Sequence, residues 1–136
     1  MEKLILWGPD FVTGVGLLDD GHKRLIDNLN SLNDALSAGN SPAVLSAILN
    51  EFIQVAARHF GIEDRLMRQY HYADAESHIA QHKKLLGDIM TLRRQVETGN
   101  HQISPDTMRF LSDWLSAHIL VTDAPFGHML SAGDID

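Results

Sequence analysis

Apolar residues recur along most of the chain at steps of three and four positions, which is the period of one face of an α-helix. No stretch shows the two-residue alternation of a half-buried strand. The pattern therefore predicts an all-α protein folded as an up-down-up-down antiparallel four-helix bundle. Four helical runs are separated by residues typical of helix starts and stops, which are Gly39, Ser41-Pro42, Asp74, Gly99 and Ser104-Pro105.

The ends of the chain lack this period. Residues 1–18 are predicted to form an irregular N-terminal arm, residues 19–125 a four-helix domain, and residues 126–136 a C-terminal tail with weak structure signals. The fourth helix is expected to end near Asp123, because Pro125 disfavours helical backbone at the residue before it. A length of 136 residues suits a single domain overall.

Composition excludes several classes of function. The absence of cysteine removes disulfides, thiolate metal sites and cysteine nucleophiles together. A formal charge of −7, with 11 basic against 18 acidic residues, argues against nucleic-acid binding. No apolar stretch approaches the roughly 20 residues that a membrane helix needs, and the N-terminus does not resemble a signal peptide. We therefore expect a cytoplasmic protein without membrane insertion.

The eight histidines are not scattered along the chain. Five of them and one glutamate fall on otherwise apolar helix faces, two pairs being spaced i, i+4 so that they share a face. An inward histidine taken alone is most often a hydrogen-bonded core residue, and an isolated HxxxE or HxxxH pattern is weak evidence. The six candidates are His22 on the first helix, His59 and Glu63 on the second, His78 and His82 on the third, and His118 on the fourth.

Burying these six groups without partners would cost on the order of 1–3 kcal/mol for each group. A shared metal centre removes that cost for all of them at once, so the pattern predicts a metal site inside the bundle. The other three histidines, His71, His101 and His128, fall in connections or the tail and are interpreted as exposed and non-ligating.

Asp123 is a seventh candidate with an awkward spacing. It follows His118 by five residues, which is about 140° around an ideal helix. It can share the ligand face only if the last helical turn loosens, and Pro125 favours such a loosening. Taken alone, Asp123 is a solvated residue at a helix end.

Together these residues resemble the hemerythrin family. His22 within LLDDGHKRL, His59 and Glu63 within HFGIED, the His78/His82 pair, and His118 with Asp123 within DWLSAHILVTD match that family's pattern in order. The match covers about residues 7 to 130 and is most similar to the single-domain bacteriohemerythrins.

The resemblance implies two iron ions per chain. Glu63 and Asp123 would bridge them beside an oxo or hydroxo group, His78, His82 and His118 would fill one iron, and His22 and His59 would leave an open position on the other. Dioxygen would bind there reversibly, in an apolar pocket. The positions that resemble the family's pocket lining are Leu25, Phe60, Trp114, Leu115 and Ile119, for which ordinary core packing is the alternative.

Two positions bear on the resemblance without belonging to the ligand set. Phe126 stands where the family often has an aromatic hydroxyl, which leaves the region of Asp123 less constrained. Asp64 stands where a second glutamate is common and is expected to lie outside the metal ligands.

The leading functional hypothesis is a non-enzymatic protein that binds dioxygen for carriage, storage or delivery. The alternative is an oxygen or redox sensor that acts through a protein partner in trans. A di-iron enzyme that handles peroxide or nitric oxide is less favoured, because no acid or base stands at the pocket positions. The simplest remaining possibility is a metal-free helical bundle.

Overall fold

The structure is a computed structural model in which residues 5–99 and 103–132 are described, except for the side chains of residues 121–124 and 131–132. Within these ranges every regular element is helical, which confirms the predicted all-α class. The α-helices are α1 Gly16–Ser37, α2 Pro42–Gln69, α3 Ala75–Glu97, α4 Pro105–Ala117 and α5 Ala124–Ala132, and a π-helical segment, His118–Asp123, joins the last two.

The helices form the predicted four-helix bundle. α2 packs against both α1 and α3, and α1 also packs against α4. The connections that join α1 to α2, α2 to α3 and α3 to α4 are short, so these neighbours in sequence run antiparallel. Among the described residues, no helix combines the length and hydropathy that a bilayer crossing would need.

The predicted helix starts and stops are confirmed in detail. The Ser41 hydroxyl accepts a hydrogen bond from the Val44 N–H at 3.4 Å, and the Ser104 hydroxyl accepts one from the Thr107 N–H at 3.1 Å. A proline follows each serine, in the first helical turn, where no intrahelical N–H bond is required. Gly39 and Gly99 end α1 and α3 with φ angles of 74° and 76°, a conformation that favours glycine.

At the N-terminal boundary the prediction was too late by three residues, because α1 begins at Gly16 and not at Asp19. Asp19 instead lies within the first turn and is buried. Its carboxylate accepts hydrogen bonds from the Thr13 N–H at 2.9 Å and the Thr13 hydroxyl at 2.7 Å. These bonds tie the preceding loop onto the helix.

The prediction for the C-terminal end also needs correction. The chain remains helical beyond Asp123, through α5, so much of the predicted tail is a helix. Pro125 does not stop it because it is the second residue of α5, directly after the π-helical segment, and proline is tolerated in the first turn of an α-helix.

The N-terminal arm is joined to the bundle by a reciprocal pair of hydrogen bonds between Ile5 and Asn30. The Ile5 N–H donates to Asn30 Oδ1 at 2.9 Å, and Asn30 Nδ2 donates to the Ile5 carbonyl at 2.8 Å. Further along the arm, the rings of Trp7 and Phe11 stack with centroids 5.6 Å apart and pack against the buried apolar side chains of the bundle. The arm is therefore part of the folded unit.

Buried apolar side chains form two separate clusters. The larger one fills most of the bundle. The smaller one lies near the α2–α3 turn and consists of Leu18, Met67, Ile79, Phe126 and Leu130. On each of three helices one candidate ligand, His22, Glu63 or His82, stands in sequence between a residue of one cluster and a residue of the other. On α1, for example, Leu18 belongs to the smaller cluster, Leu25 to the larger one, and His22 stands between them.

We predict that Asn30→Ala destabilises the fold by about 1–3 kcal/mol, because it leaves the buried N–H and carbonyl of Ile5 without their partner. Urea unfolding measures the free energy, and hydrogen exchange of the Ile5 amide should accelerate. The control is Ser31→Ala, at the exposed neighbouring position, which should stay within about 0.5 kcal/mol of the parent. Equal stability of the two variants would contradict the role given to this contact.

Candidate metal centre

Six of the seven predicted ligand side chains come together in the interior of the bundle. The most exposed of them, His59 and His118, are only 3% accessible, and Glu63 and His22 are fully buried. All four helices of the bundle contribute, counting His118 at the junction of α4 and the π-helical segment. The helical periodicity seen in the sequence therefore leads to a single polar site.

Glu63 lies at the middle of this site. On its own helix, one turn away, His59 places Nε2 2.8 Å from Glu63 Oε1. Across the bundle, His82 Nε2 lies 3.7 Å from Glu63 Oε1, and His78 Nε2 lies 3.9 Å from Glu63 Oε2. Both carboxylate oxygens therefore face imidazole nitrogens.

The turn between α2 and α3 brings the two ligand pairs together. His71 takes a positive φ of 53°, and the Tyr72 N–H donates to the Met67 carbonyl at 2.9 Å. This left-handed helix ending reverses the chain within a few residues. α3 then runs back along α2, so that His78 and His82 face the His59/Glu63 pair.

His118 lies next to the two histidines of α3, His78 and His82. Its ring centroid lies 5.3 Å from that of His78 and 5.0 Å from that of His82. The Nε2 atoms of His82 and His118 are 3.2 Å apart. The rings of His22 on α1 and His59 on α2 meet edge to face, with centroids 4.5 Å apart.

The donor atoms form two groups that share one residue. Glu63 with His78, His82 and His118 makes one group, and Glu63 with His22 and His59 makes the other. Within each group the ligand atoms all lie within 4.8 Å of one another. Imidazole nitrogens with a hard carboxylate and no thiolate suit iron among the common transition metals, so the residues present fit such an ion.

The backbone at Asp123 loosens as the sequence suggested. A π-helix closes its hydrogen bonds from residue i to residue i+5, so the π-helical segment His118–Asp123 spans about one turn. Its two end positions therefore lie on the same side of the helix. The side chain of Asp123 lies outside the described residues, and its predicted role as a ligand stays a prediction.

Gly21 was not predicted to matter, but it lies directly against the site. A Cβ atom built on Gly21 would overlap the imidazole of His59, at Nδ1, Cε1 and Cγ. Only glycine, which has no side chain, lets α1 lie this close to α2 beside the His59 ring. A glycine inside a helix, one residue before a candidate ligand, is the sequence signal that could have indicated this contact.

Asp64 is a second residue that contacts the site without belonging to it. Its Oδ1 lies 2.8 Å from His82 Nδ1, and its side chain is 28% exposed. The prediction that Asp64 is outside the ligand groups agrees with the structure, because neither group contains it. Its contact with a candidate ligand depends on how α2 and α3 pack, which the local sequence does not reveal.

The five predicted pocket residues lie in or against the larger core. Leu25, Phe60, Leu115 and Ile119 are buried, and Trp114 is partly buried. The Phe60 ring stacks on His82 with centroids 4.0 Å apart, and the Trp114 ring stacks on His118 at 4.8 Å. The two aromatic residues therefore hold imidazoles in place, in addition to any role in lining a pocket.

Phe126 is fully buried in the smaller cluster. Its ring lies 4.8 Å from that of Tyr72 and 6.3 Å from that of His78. Of the three histidines predicted to be non-ligating, His71 and His128 are exposed, and His101 lies outside the described residues.

Comparisons with known proteins agree with this geometry. Residues 13–130 match the model of the Hemerythrin HHE cation binding domain. The chain belongs to the hemerythrin family. The bacteriohemerythrin of Methylococcus capsulatus (strain Bath) is 36% identical over 130 residues, which cover 95% of this chain and 98% of that protein.

More distant members and a solved structure show the same relationship. The myohemerythrin of Sipunculus nudus is 29% identical over 119 residues, covering 87% of each chain. A crystal structure of a wild-type hemerythrin superposes with a TM-score of 0.87 at 36% identity, covering 94% of this chain and 98% of that one. The resemblance to hemerythrins inferred from the seven ligand positions is confirmed, as is the four-helix fold.

We predict that Gly21→Ala weakens metal binding about tenfold or more, because the added methyl group displaces the His59 imidazole. Bound metal per chain and the metal dissociation constant are the measurements. The matched control is Gly87→Ala, since Gly87 is exposed within α3 and a Cβ there meets nothing within 4 Å. Equal metal affinity in the two variants would argue against the close approach at Gly21.

Proposed function

We propose that this hemerythrin holds two iron ions and binds dioxygen reversibly, as a carrier, store or delivery protein and not as an enzyme. The observation that carries the proposal is the position of Glu63 between two histidine groups. A carboxylate has two oxygens, so Glu63 can give one to each of two cations. Asp123 is proposed as the second bridging carboxylate.

The two groups are unequal, which supports different tasks for the two ions. One contains the three imidazoles of His78, His82 and His118, and the other contains only those of His22 and His59. With the shared carboxylates, the poorer group would leave one coordination position open. Bound iron would supply that open position and the electrons for reversible binding of dioxygen.

The surrounding residues keep water and protons away from the site. Phe60, Leu115 and Ile119 are at most 2% exposed and belong to the larger apolar core next to the ligands. They carry no group that could donate a proton, which favours release of unchanged dioxygen over turnover. The six candidate ligands are at most 3% exposed, so the bundle encloses the site.

The central test is an anaerobic-to-aerobic spectral titration of iron-loaded protein. A charge-transfer band should form in air and bleach on deoxygenation over repeated cycles. In Glu63→Gln, the neutral amide replaces the shared anionic donor, so the band and at least one bound iron per chain should be lost. Iron-loaded protein without a reversible band would contradict the proposal, and steady consumption of peroxide or nitric oxide would favour the enzyme alternative.

We also predict that metal and fold are strongly coupled. An ion that binds only the folded state at about 1,000 times its Kd adds about 4 kcal/mol of stability. For a chain of this length that corresponds to a rise in Tm on the order of 10 °C or more. Thermal unfolding of apo and iron-loaded protein checks this, and equal midpoints would contradict it.

A further inference from the structure

Two adjacent carboxylates on α2 take different directions. Consecutive helix positions are about 100° apart, so Glu63 and Asp64 cannot share a face. Glu63 is fully buried at the centre of the site, whereas Asp64 lies at the seam between α2 and α3, where its side chain is 28% exposed. The seam position places its carboxylate beside His82.

The two nitrogens of His82 face opposite environments. Nε2 lies 3.7 Å from Glu63 Oε1 and 3.2 Å from His118 Nε2, which is the side of the ligand groups. Nδ1 lies 2.8 Å from Asp64 Oδ1. A carboxylate only accepts hydrogen bonds, so Asp64 requires the proton on Nδ1 and leaves the lone pair of Nε2 for a cation.

The ring of His82 is also restrained from its face. The Phe60 ring stacks on it almost parallel, with an interplanar angle of 3° and centroids 4.0 Å apart. Stacking fixes the plane of the imidazole but is equally compatible with the ring flipped by 180° about its Cβ–Cγ bond, which keeps the same plane. The hydrogen bond to Asp64 removes this freedom, because it fixes which edge of the ring faces the ligand groups.

We propose that Asp64 is a positioning residue of the metal centre, and that its carboxylate sets the tautomer, orientation and basicity of His82. This inference rests on the proposed function, since it assumes that His82 binds iron. A carboxylate behind a ligating imidazole makes the nitrogen on the metal side a better donor. Asp64 therefore strengthens metal retention in the group with three histidines and lowers the reduction potential of the iron there.

The simpler explanation is that Asp64 only joins α2 to α3. Other side chains already do this away from the site: Arg93 donates to Asn50 Oδ1 at 2.8 Å, and the Ser46 hydroxyl donates to Glu97 at 2.8 Å. Both contacts are exposed and neither involves a candidate ligand. The contact between Asn50 and Arg93 is therefore a matched control, with the same pair of helices and the same length.

The experiment compares Asp64→Leu, Asp64→Asn and Asn50→Leu in iron-loaded protein. Iron release to a chelator is expected to be about 10- to 100-fold faster in Asp64→Leu than in the parent and unchanged in Asn50→Leu. Asp64→Asn keeps an acceptor but loses the charge, so it should retain iron better than Asp64→Leu and still show a raised reduction potential. If Asp64→Leu does not fold, the potential of Asp64→Asn against that of Asn50→Leu decides the question.

Other outcomes separate this inference from the proposed function. Suppose that the parent binds iron. The positioning role alone is then overturned if both Asp64 variants match the parent in iron release and reduction potential. It is also overturned if Asp64→Leu and Asn50→Leu accelerate iron release equally. If the parent takes up no iron under reducing conditions, the proposed function fails and the inference fails with it.

Discussion

The burial of one carboxylate and five imidazoles in a single layer is the constraint on which the rest of this bundle depends. None of these side chains is more than 3% exposed, and the buried apolar residues around them fall into two separate clusters. Groups of this kind are tolerated in an interior only when their polar atoms have partners. The ligand layer therefore fixes the register of the helices, because a helix shifted by one turn would bring an apolar side chain to the layer and carry a histidine into the core.

Two local irregularities of the helices fall at this layer. Gly21 stands inside α1, where glycine costs about 0.5–1 kcal/mol relative to alanine, yet any larger residue would overlap His59. The π-helical segment interrupts the fourth helix, and it begins at His118. Departures from regular helix chemistry are expected where function competes with stability, and both occur beside candidate ligands. Away from the layer, serine caps and glycine endings follow ordinary rules.

The contrast between regular helix ends and irregular positions beside the ligands explains what could be predicted from the sequence. The helices, their caps and the inward positions of His22, His59 and His118 follow from periodicity and from local start and stop signals, which act within one element. Gly21 and Asp64 acquire their importance from a neighbouring helix. A glycine within a helix can indicate a close approach, but no local signal identifies the partner side chain or the distance between two helices. The continuation into α5 was missed for a different reason. Pro125 was interpreted as a helix stop, whereas the π-helical segment places it in the first turn of a new helix.

The surroundings of the two ligand groups differ in a way that matches their proposed tasks. His82 is held by a stacked phenyl ring and a carboxylate, and His118 by a stacked indole, so the group with three histidines is restrained from several directions. His59 borders a surface groove of about 270 Å³ beside Gly21, where α1 carries no side chain to cover it. A filled coordination sphere benefits from rigid ligands, because its geometry does not change. The ion with the proposed open position would instead admit and release a small molecule, and His59, one of its proposed ligands, borders this groove.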